Sequence, residues 1–458
     1  MSTIAPSPED RAERLTDVAQ LSEPFHAAEK PRDVWKIGSE AEKFGILAPN
    51  GEPLSYDGPH GVVRVLDALM GSHGWRADAE YPGGPLIALK RENASLTLEP
   101  GAQLELSGAP LPDIHLICAE MRGHVAELRQ ITSEMNLSWL AVGFHPTARQ
   151  EDLPWVPKQR YAIMREYLPT KGTGALDMMR RTATVQANID YSDEEDAMRK
   201  LRVGLVLAPL VNAMTANSPF HEGRLSGKKS VRGDVWLRMD PSRSGLIPAL
   251  WDKERPRYVD YAEWVLDAGM FLFKRDGKVI ANTGQTFRNF MKDGYQGHYP
   301  TMADWKLHLQ TVFPEARLKN TLEFRPCDSL PTDMTCAISA LYTGLMYDVQ
   351  ALGEAEELSR TLSFEQVSAA RPALVASGLA AEIGGRPARE LAERVLEIAS
   401  GGLSRRGRLN AQGQDETVHL RRLVDLNQAG LSPADRLTEG LSNDDPDLRR
   451  EILARTRF

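Results

Sequence analysis

The sequence predicts an α+β fold, and three observations carry that expectation. Several short segments in the first three quarters of the chain alternate apolar and polar residues with period two. Between them lie stretches with apolar residues at three-to-four spacing. From about residue 336 onward the text reads almost wholly helical. At 458 residues the chain can bury a large core, as one big domain or two to three smaller ones. We expect an N-terminal arm or helix over 1–33, a main body over 34–350 and a helical region over 351–458 packed on that body.

The elements follow in order. The arm should contain a helix ending near Lys30-Pro31. VWKIGSEAEKFGIL reads as a strand, and PHGVVRVLDALMGSHG as a helix ending at Gly71 or Gly74. SLTLEPGAQLELSG is a strand or a pair of short strands that carries two acids, Glu99 and Glu105. LPDIHLICAEMRGHVAELRQITSEM is an amphipathic helix, and SWLAVGFHP another strand. EDAMRKLRVGLVLAPLVNAMTANSPF begins charged and turns apolar, which predicts a central helix packed on most sides. SLPTDMTCAISALYTGLMYD, LGEAEELSRTL and PARELAERVLEIAS complete the helical end.

Composition excludes several function classes. A net charge of -8 with no dominant block of Lys or Arg argues against a nucleic-acid face. No apolar run is long enough to span a bilayer. MSTIAPSPEDRAERL has no apolar core, so no signal peptide is expected and the location is read as cytoplasmic. Cys118, Cys327 and Cys336 are scattered. They match no metal-ligand or disulfide pattern and are read as core filler in a reducing compartment.

The strands share one design. Glu40 and Glu42 lie on one face with Gly38; Gln103, Glu105 and Ser107 lie opposite Leu104 and Leu106. Thr184, Gln186 and Asn188 oppose Val185, Ala187 and Ile189; Glu323 and Arg325 oppose Leu322 and Phe324. A wet sheet face would explain any one of these. Glutamate is depleted in strands, however, and adjacent like charges repel unless a cation lies between them. Mg²⁺ or Mn²⁺ chemistry on phosphates wants such a face of hard oxygen ligands.

These residues also carry a resemblance. GSEAEKFGI, LIALKRENASLTLEPGAQLELSGAPL, PWVPKQRYAIMREYLPTKGTGALDMMRRTATVQANIDY, RKLRVGLVLAPLVNAMTANSPF, TGQTFRNFM and LEFRPCD occur in that order between about Trp35 and Asp348. Together they resemble the glutamate–cysteine ligase family of plants and proteobacteria. The resemblance implies a glutamine synthetase-like fold, with a curved antiparallel sheet and helices on its convex side. It implies ATP-dependent joining of the L-glutamate γ-carboxylate to the L-cysteine amine through γ-glutamyl phosphate. The family's metal-binding acids match Glu40, Glu42, Glu99, Glu105 and Glu323, and an amide matches Gln186 beside them.

Arg325 is the leading arginine candidate, because it shares a face with Glu323; an intrasheet ion pair is the plain alternative. Arg232, in KKSVRGDVW, is a second candidate on a stretch read as a loop. Asn188, Arg202, Asn217 and Ser218 are candidate contacts to ATP or the amino-acid substrate. For Asn217 and Ser218 a helix end before Pro219 explains the residues as well, and solvated helix faces would account for Arg165, Arg180, Arg181 and Arg202. The regulatory cysteines of the plant enzymes match Ala183, Asn282 and Gly297 here, so activity is expected to be indifferent to reductant. A monomer or homodimer is expected. The other readings are a related ligase with a different amine acceptor, a glycoside hydrolase using two of the acids, and an inactive scaffold.

Overall fold

The computed structural model describes residues 10, 13–251 and 253–458. Most of the MSTIAPSPEDRAERL stretch lies outside the described residues. Within the expected arm, a capped 3₁₀ turn at Val18–Ser22 leads into a four-residue helix, Glu23–His26, that stops before Lys30-Pro31.

The main sheet contains β1 (Ile37–Leu47), β2 (Arg76–Ala77), β3 (Ala88–Arg91), β4 (Ala94–Leu98), β5 (Leu104–Ser107), β6 (Leu137–Leu140) and β7 (Val185–Ile189). A separate hairpin, β8 (Leu272–Arg275) and β9 (Lys278–Ala281), comes next, and β10 (Ala316–Leu318) and β11 (Leu322–Phe324) complete the main sheet. Its order is β10-β11-β7-β1-β5-β4-β3-β2, with β6 also paired to β1. Every pair in it is antiparallel. SLTLEPGAQLELSG is thus two strands, and Glu99 sits in the turn between them rather than in a strand. That turn is closed by Glu99 N–H to Gln103 O and by Ala102 in a left-handed conformation. SWLAVGFHP is a strand only at its start; the rest leaves the sheet.

The helices that frame the sheet include α1 (Val62–Ser72), α2 (Ile114–Met135), α3 (Gln159–Tyr167), α4 (Glu194–Met214), α5 (Val231–Trp236), α6 (Cys336–Met346), α7 (Val349–Arg360), α8 (Phe364–Ser377) and α9 (Ala388–Arg406). Helices α3 and α5 lie over the polar face, whereas α2, α4 and α6 pack on the apolar one. The apolar half of α4 is buried on nearly every side, as its sequence predicts. Gly204 permits that packing: a Cβ there would lie 2.2 Å from the Phe324 ring on β11. Phe324 in turn stacks on Tyr342 of α6 with ring centroids 4.0 Å apart. Helices α6 and α9 cross so closely that a Cβ on Gly402 would lie 1.9 Å from the Gly344 carbonyl oxygen.

One expectation about cysteine is overturned. Cys118 of α2 and Cys336 at the start of α6 form a disulfide, while Cys327 is a buried free thiol. The pairing joins positions 218 residues apart. No local spacing pattern reports such a bond, because it depends on how α2 and α6 meet over the sheet.

Candidate active site

The polar faces of the strands align as one surface. Glu42 stands opposite Glu105 on β5, and Glu105 opposite Thr97 on β4. Glu40 stands between Ser107 and Gln186; Asn188 stands between Gly38 and Glu323. The antiparallel register therefore brings residues from five strands to one side. A cavity of about 260 Å³ opens over this surface. Glu42, Glu99, Gln186 and Arg325 form part of its floor. Arg160 and Tyr161 of α3, Arg232 and Trp236 of α5, and Leu272 and Lys274 of the hairpin form walls.

The five candidate acids fall into two groups. Glu42 and Glu99 line the cavity, with Glu105 behind them. Glu42 accepts from the Thr184 N–H at 3.0 Å, and Glu105 from the Thr97 hydroxyl at 2.7 Å. Glu99 Oε1 is buried with no hydrogen-bond partner. Burial pushes the Glu42 carboxyl up, and the charges of Glu105 and Glu99 push it further. Among the described residues no three His, Cys, Asp or Glu side chains are drawn in tightly enough to ligate a metal as they stand. Glu42, Glu99 and Glu105 nonetheless fit a divalent cation in their chemistry: hard oxygens, mutual repulsion and one orphaned acceptor.

Glu40 and Glu323 form the second group, deeper in the sheet. Glu40 accepts from Asn188 Nδ2 at 3.1 Å, and burial pushes its carboxyl up to about 7. Glu323 is fully buried and in contact with three cations, Arg317 at 2.7 Å and also Lys319 and Arg325. Despite burial, those charges hold its carboxyl well below the usual range. Oε1 accepts from Arg317 and Arg325, and Oε2, which has no hydrogen-bond partner, lies against the Lys319 ammonium, so three fixed cations already face Glu323 where a metal would bind.

Arg325 does two things at once. Its Nη1 contacts Glu323 and donates to Gln186 Oε1 at 3.0 Å, and its side chain also lines the cavity. Arg232 is not on a loop. It lies on the short helix α5, whose cap Ser230 accepts from the Gly233 N–H. Its guanidinium donates to the carbonyls of Pro326 and Arg325 at 3.1 and 2.9 Å. Asn217 and Ser218 do not reach the cavity. Asn217 N–H and the Ser218 and Ser230 hydroxyls donate to the buried Asp328 carboxylate at 2.8, 2.6 and 2.9 Å. That cluster supports Arg232 from behind, since Ser218 Oγ accepts the Arg232 N–H at 3.2 Å. Asn188 is occupied by Glu40 and by the Thr321 hydroxyl. Arg202 lies in a separate surface cleft, donating to the carbonyls of Trp251 and Lys253. Arg180 and Arg181 are buried rather than solvated, against Trp155 and Asp177 respectively.

A family model, glutamate–cysteine ligase family 2, matches residues 36–454. The chain belongs to the glutamate–cysteine ligase family. It is 39% identical over 413 residues to the rice chloroplastic glutamate–cysteine ligase B, covering 89% of this chain and 80% of that protein. The Arabidopsis thaliana chloroplastic enzyme is 39% identical over 415 residues, covering 90% and 77%. The Medicago truncatula chloroplastic enzyme is 37% identical over 413 residues, covering 90% and 79%. A solved glutamate–cysteine ligase from Francisella tularensis, in complex with AMP, superposes with a TM-score of 0.55 at 11% identity, covering 92% of this chain and 87% of that one. The glutamine synthetase-like α+β fold with a helical C-terminal part therefore stands. The named plant relatives are chloroplastic enzymes, which overturns the expectation of a cytoplasmic location. Among the described residues no helix is long and apolar enough to cross a membrane.

Residue patterning missed several parts of this cavity. Arg160, Tyr161, Trp236 and Lys274 come from three elements with no common spacing, and only packing assembles them. Arg317 and Lys319 were within reach: in EARLKNTLEFR they alternate as Glu323 and Arg325 do, Arg317 on the strand that faces Glu323 and Lys319 in the turn just after it.

Proposed function

We propose that this cavity is where the family's ATP-dependent reaction takes place. The reaction joins the γ-carboxylate of L-glutamate to the amino group of L-cysteine, giving γ-glutamylcysteine, ADP and phosphate, the first step of glutathione synthesis. One observation carries the assignment of place: a single cavity has acids on its floor, Glu42 and Glu99, and basic side chains on its walls, Arg160, Arg232, Arg325 and Lys274. Polyphosphate held with a hard cation needs both signs of charge within a few ångströms.

Glu42, Glu99 and Glu105 would hold Mg²⁺ or Mn²⁺, which when bound neutralises phosphate charge. Arg325 is placed to meet an anionic oxygen, and Gln186 holds its guanidinium in plane. Arg232 is fixed through its own backbone contacts, so its remaining donors are pre-aimed with little entropy left to lose. Attack of the glutamate γ-carboxylate on the γ-phosphate forms γ-glutamyl phosphate, and the cysteine nitrogen then displaces phosphate. These residues serve that sequence by aligning attacker and leaving group and by binding charge, with no protein nucleophile. Phe271, Leu272 and Val279 close one side of the cavity with apolar surface, which limits water at an acyl phosphate.

The test is ADP release from Mg²⁺-ATP with L-glutamate and a panel of amines, the product identified by mass. Release that requires both glutamate and cysteine and yields γ-glutamylcysteine is expected, with loss in Arg325→Ala. Undiminished turnover in Arg325→Ala and Glu99→Gln would move the site elsewhere.

A further inference from the structure

The two groups of acids differ in one respect that bears on metal binding. Around Glu42, Glu99 and Glu105 the hydrogen-bond contacts include an orphaned oxygen and hydroxyl or amide donors, with the buried Lys43 and Lys158 within electrostatic reach. Around Glu323 there are three cations, and the nearest other acid is Glu40. The corner of Glu323 and Glu40 therefore holds two carboxylates against three fixed positive charges.

Lys319 is the decisive member. It lies in the tight turn between β10 and β11, where its N–H donates to the Thr321 carbonyl at 2.9 Å. Its own carbonyl accepts from the Tyr191 hydroxyl at 3.0 Å. Its side chain is 1% exposed, and its ammonium lies against Glu323 Oε2, within electrostatic reach of Glu40. The register that pairs Arg317 with Glu323 places Arg317 on the other carboxylate oxygen. An ammonium is a compact charge with three donors, close in role to a small cation but unable to be displaced without leaving a buried carboxylate unpaired. A divalent ion entering this corner would meet three positive charges, with a cation already against each oxygen of Glu323.

We infer that the Lys319 ammonium is a built-in cation that takes the place of one divalent ion on the acidic face. Without nucleotide the protein then binds a single divalent ion, on Glu42, Glu99 and Glu105, and Glu323 ligates none. This rests on the metal reading of those three acids given above. Lys319 acts as a positioning residue: it keeps Glu323 charged and Arg325 aimed at the cavity through their shared contact.

The experiment is to count Mn²⁺ bound to the full-length protein without nucleotide, by the electron paramagnetic resonance signal of free Mn²⁺. One ion per chain is expected for wild type, with affinity at least tenfold weaker in Glu99→Gln. Lys319→Met, shown to be folded by circular dichroism, is expected to bind two, and Lys319→Arg one. Lys319→Gln, which keeps a donor to Glu323 without the charge, is the second variant and is also expected to bind two. Two ions on the wild type, or one on both folded neutral variants, would overturn the inference. No ion on the wild type would instead sink the metal reading itself, and this inference with it.

Discussion

Arg325 Nη1 donates to Gln186 Oε1 at 3.0 Å, bridging the end of β11 to the middle of β7. Gln186 is 3% exposed and has Glu40 as its strand partner on the other side. The amide thus fixes a guanidinium whose other contact is Glu323. Gln186→Ala is expected to lower kcat/KM by about a hundredfold, roughly 3 kcal/mol, with the larger part in kcat. Gln186→Glu should behave differently, since it adds charge to Glu40. Steady-state kinetics with glutamate, cysteine and ATP varied in turn will check this; a change confined to one KM would count against a role for Gln186 in aiming Arg325.

The Asp328 cluster offers a second test. Its carboxylate is fully buried, accepts three hydrogen bonds and has Arg232 Nη1 at 4.0 Å. Asp328→Asn removes a charge and one acceptor from that set and is expected to cost about 3 kcal/mol of stability. Loosened support for α5 should also raise KM for an anionic substrate. Urea denaturation and kinetics on the same preparation would show both effects. Full stability with wild-type kinetics would refute the support role.

The Cys118–Cys336 bond closes a very long loop. Chain-entropy reasoning gives an upper figure of about 5 kcal/mol for such a closure. Cys118→Ser should therefore lower the melting temperature in non-reducing buffer, and reductant should lower that of wild type but not of the variant. Equal melting under all four conditions would mean that the bond adds nothing to stability. Because the disulfide lies under the sheet rather than in the cavity, the earlier expectation of indifference to reductant needs testing against stability as well as activity.

Stability against acid follows from buried imidazoles. Burial holds His308 at about 3, with Arg243 adding to the effect, and the same cause holds His145 at about 3. Both are neutral in the fold and protonate more readily when unfolded. The unfolded state therefore binds more protons, so stability is present above about pH 6.5 and is lost as pH falls toward 3. His308 Nε2 meets the Val265 carbonyl at 3.1 Å, a contact a glutamine amide can supply. His308→Gln is expected to flatten the fall in unfolding free energy by up to one proton, about 1.4 kcal/mol per pH unit, within that window. Parallel curves for wild type and variant would exclude this contribution.

Much of the sheet was legible because its signal is local. The i, i+2 rule placed Glu40 with Glu42, Gln186 with Asn188 and Glu323 with Arg325 on shared faces, and the register agrees. Glu99 was assigned to the same surface for a different reason, its match to the family, and the turn between β4 and β5 delivers it there. Arg202 and the pair Asn217–Ser218 were misplaced because helix spacing says which face a residue occupies but not what that face meets.

By itself the sequence determined the alternating strands, the buried central helix, the family and the set of acids that could share a face, because each depends on residues near one another along the chain. The tertiary structure alone decided that Lys319 and Arg317 neutralise Glu323, that Arg160, Trp236 and Lys274 wall one cavity, and that Cys118 finds Cys336. Those contacts require strand register and helix packing. A shift of one residue in register would exchange the two faces of a strand while leaving its sequence pattern unchanged.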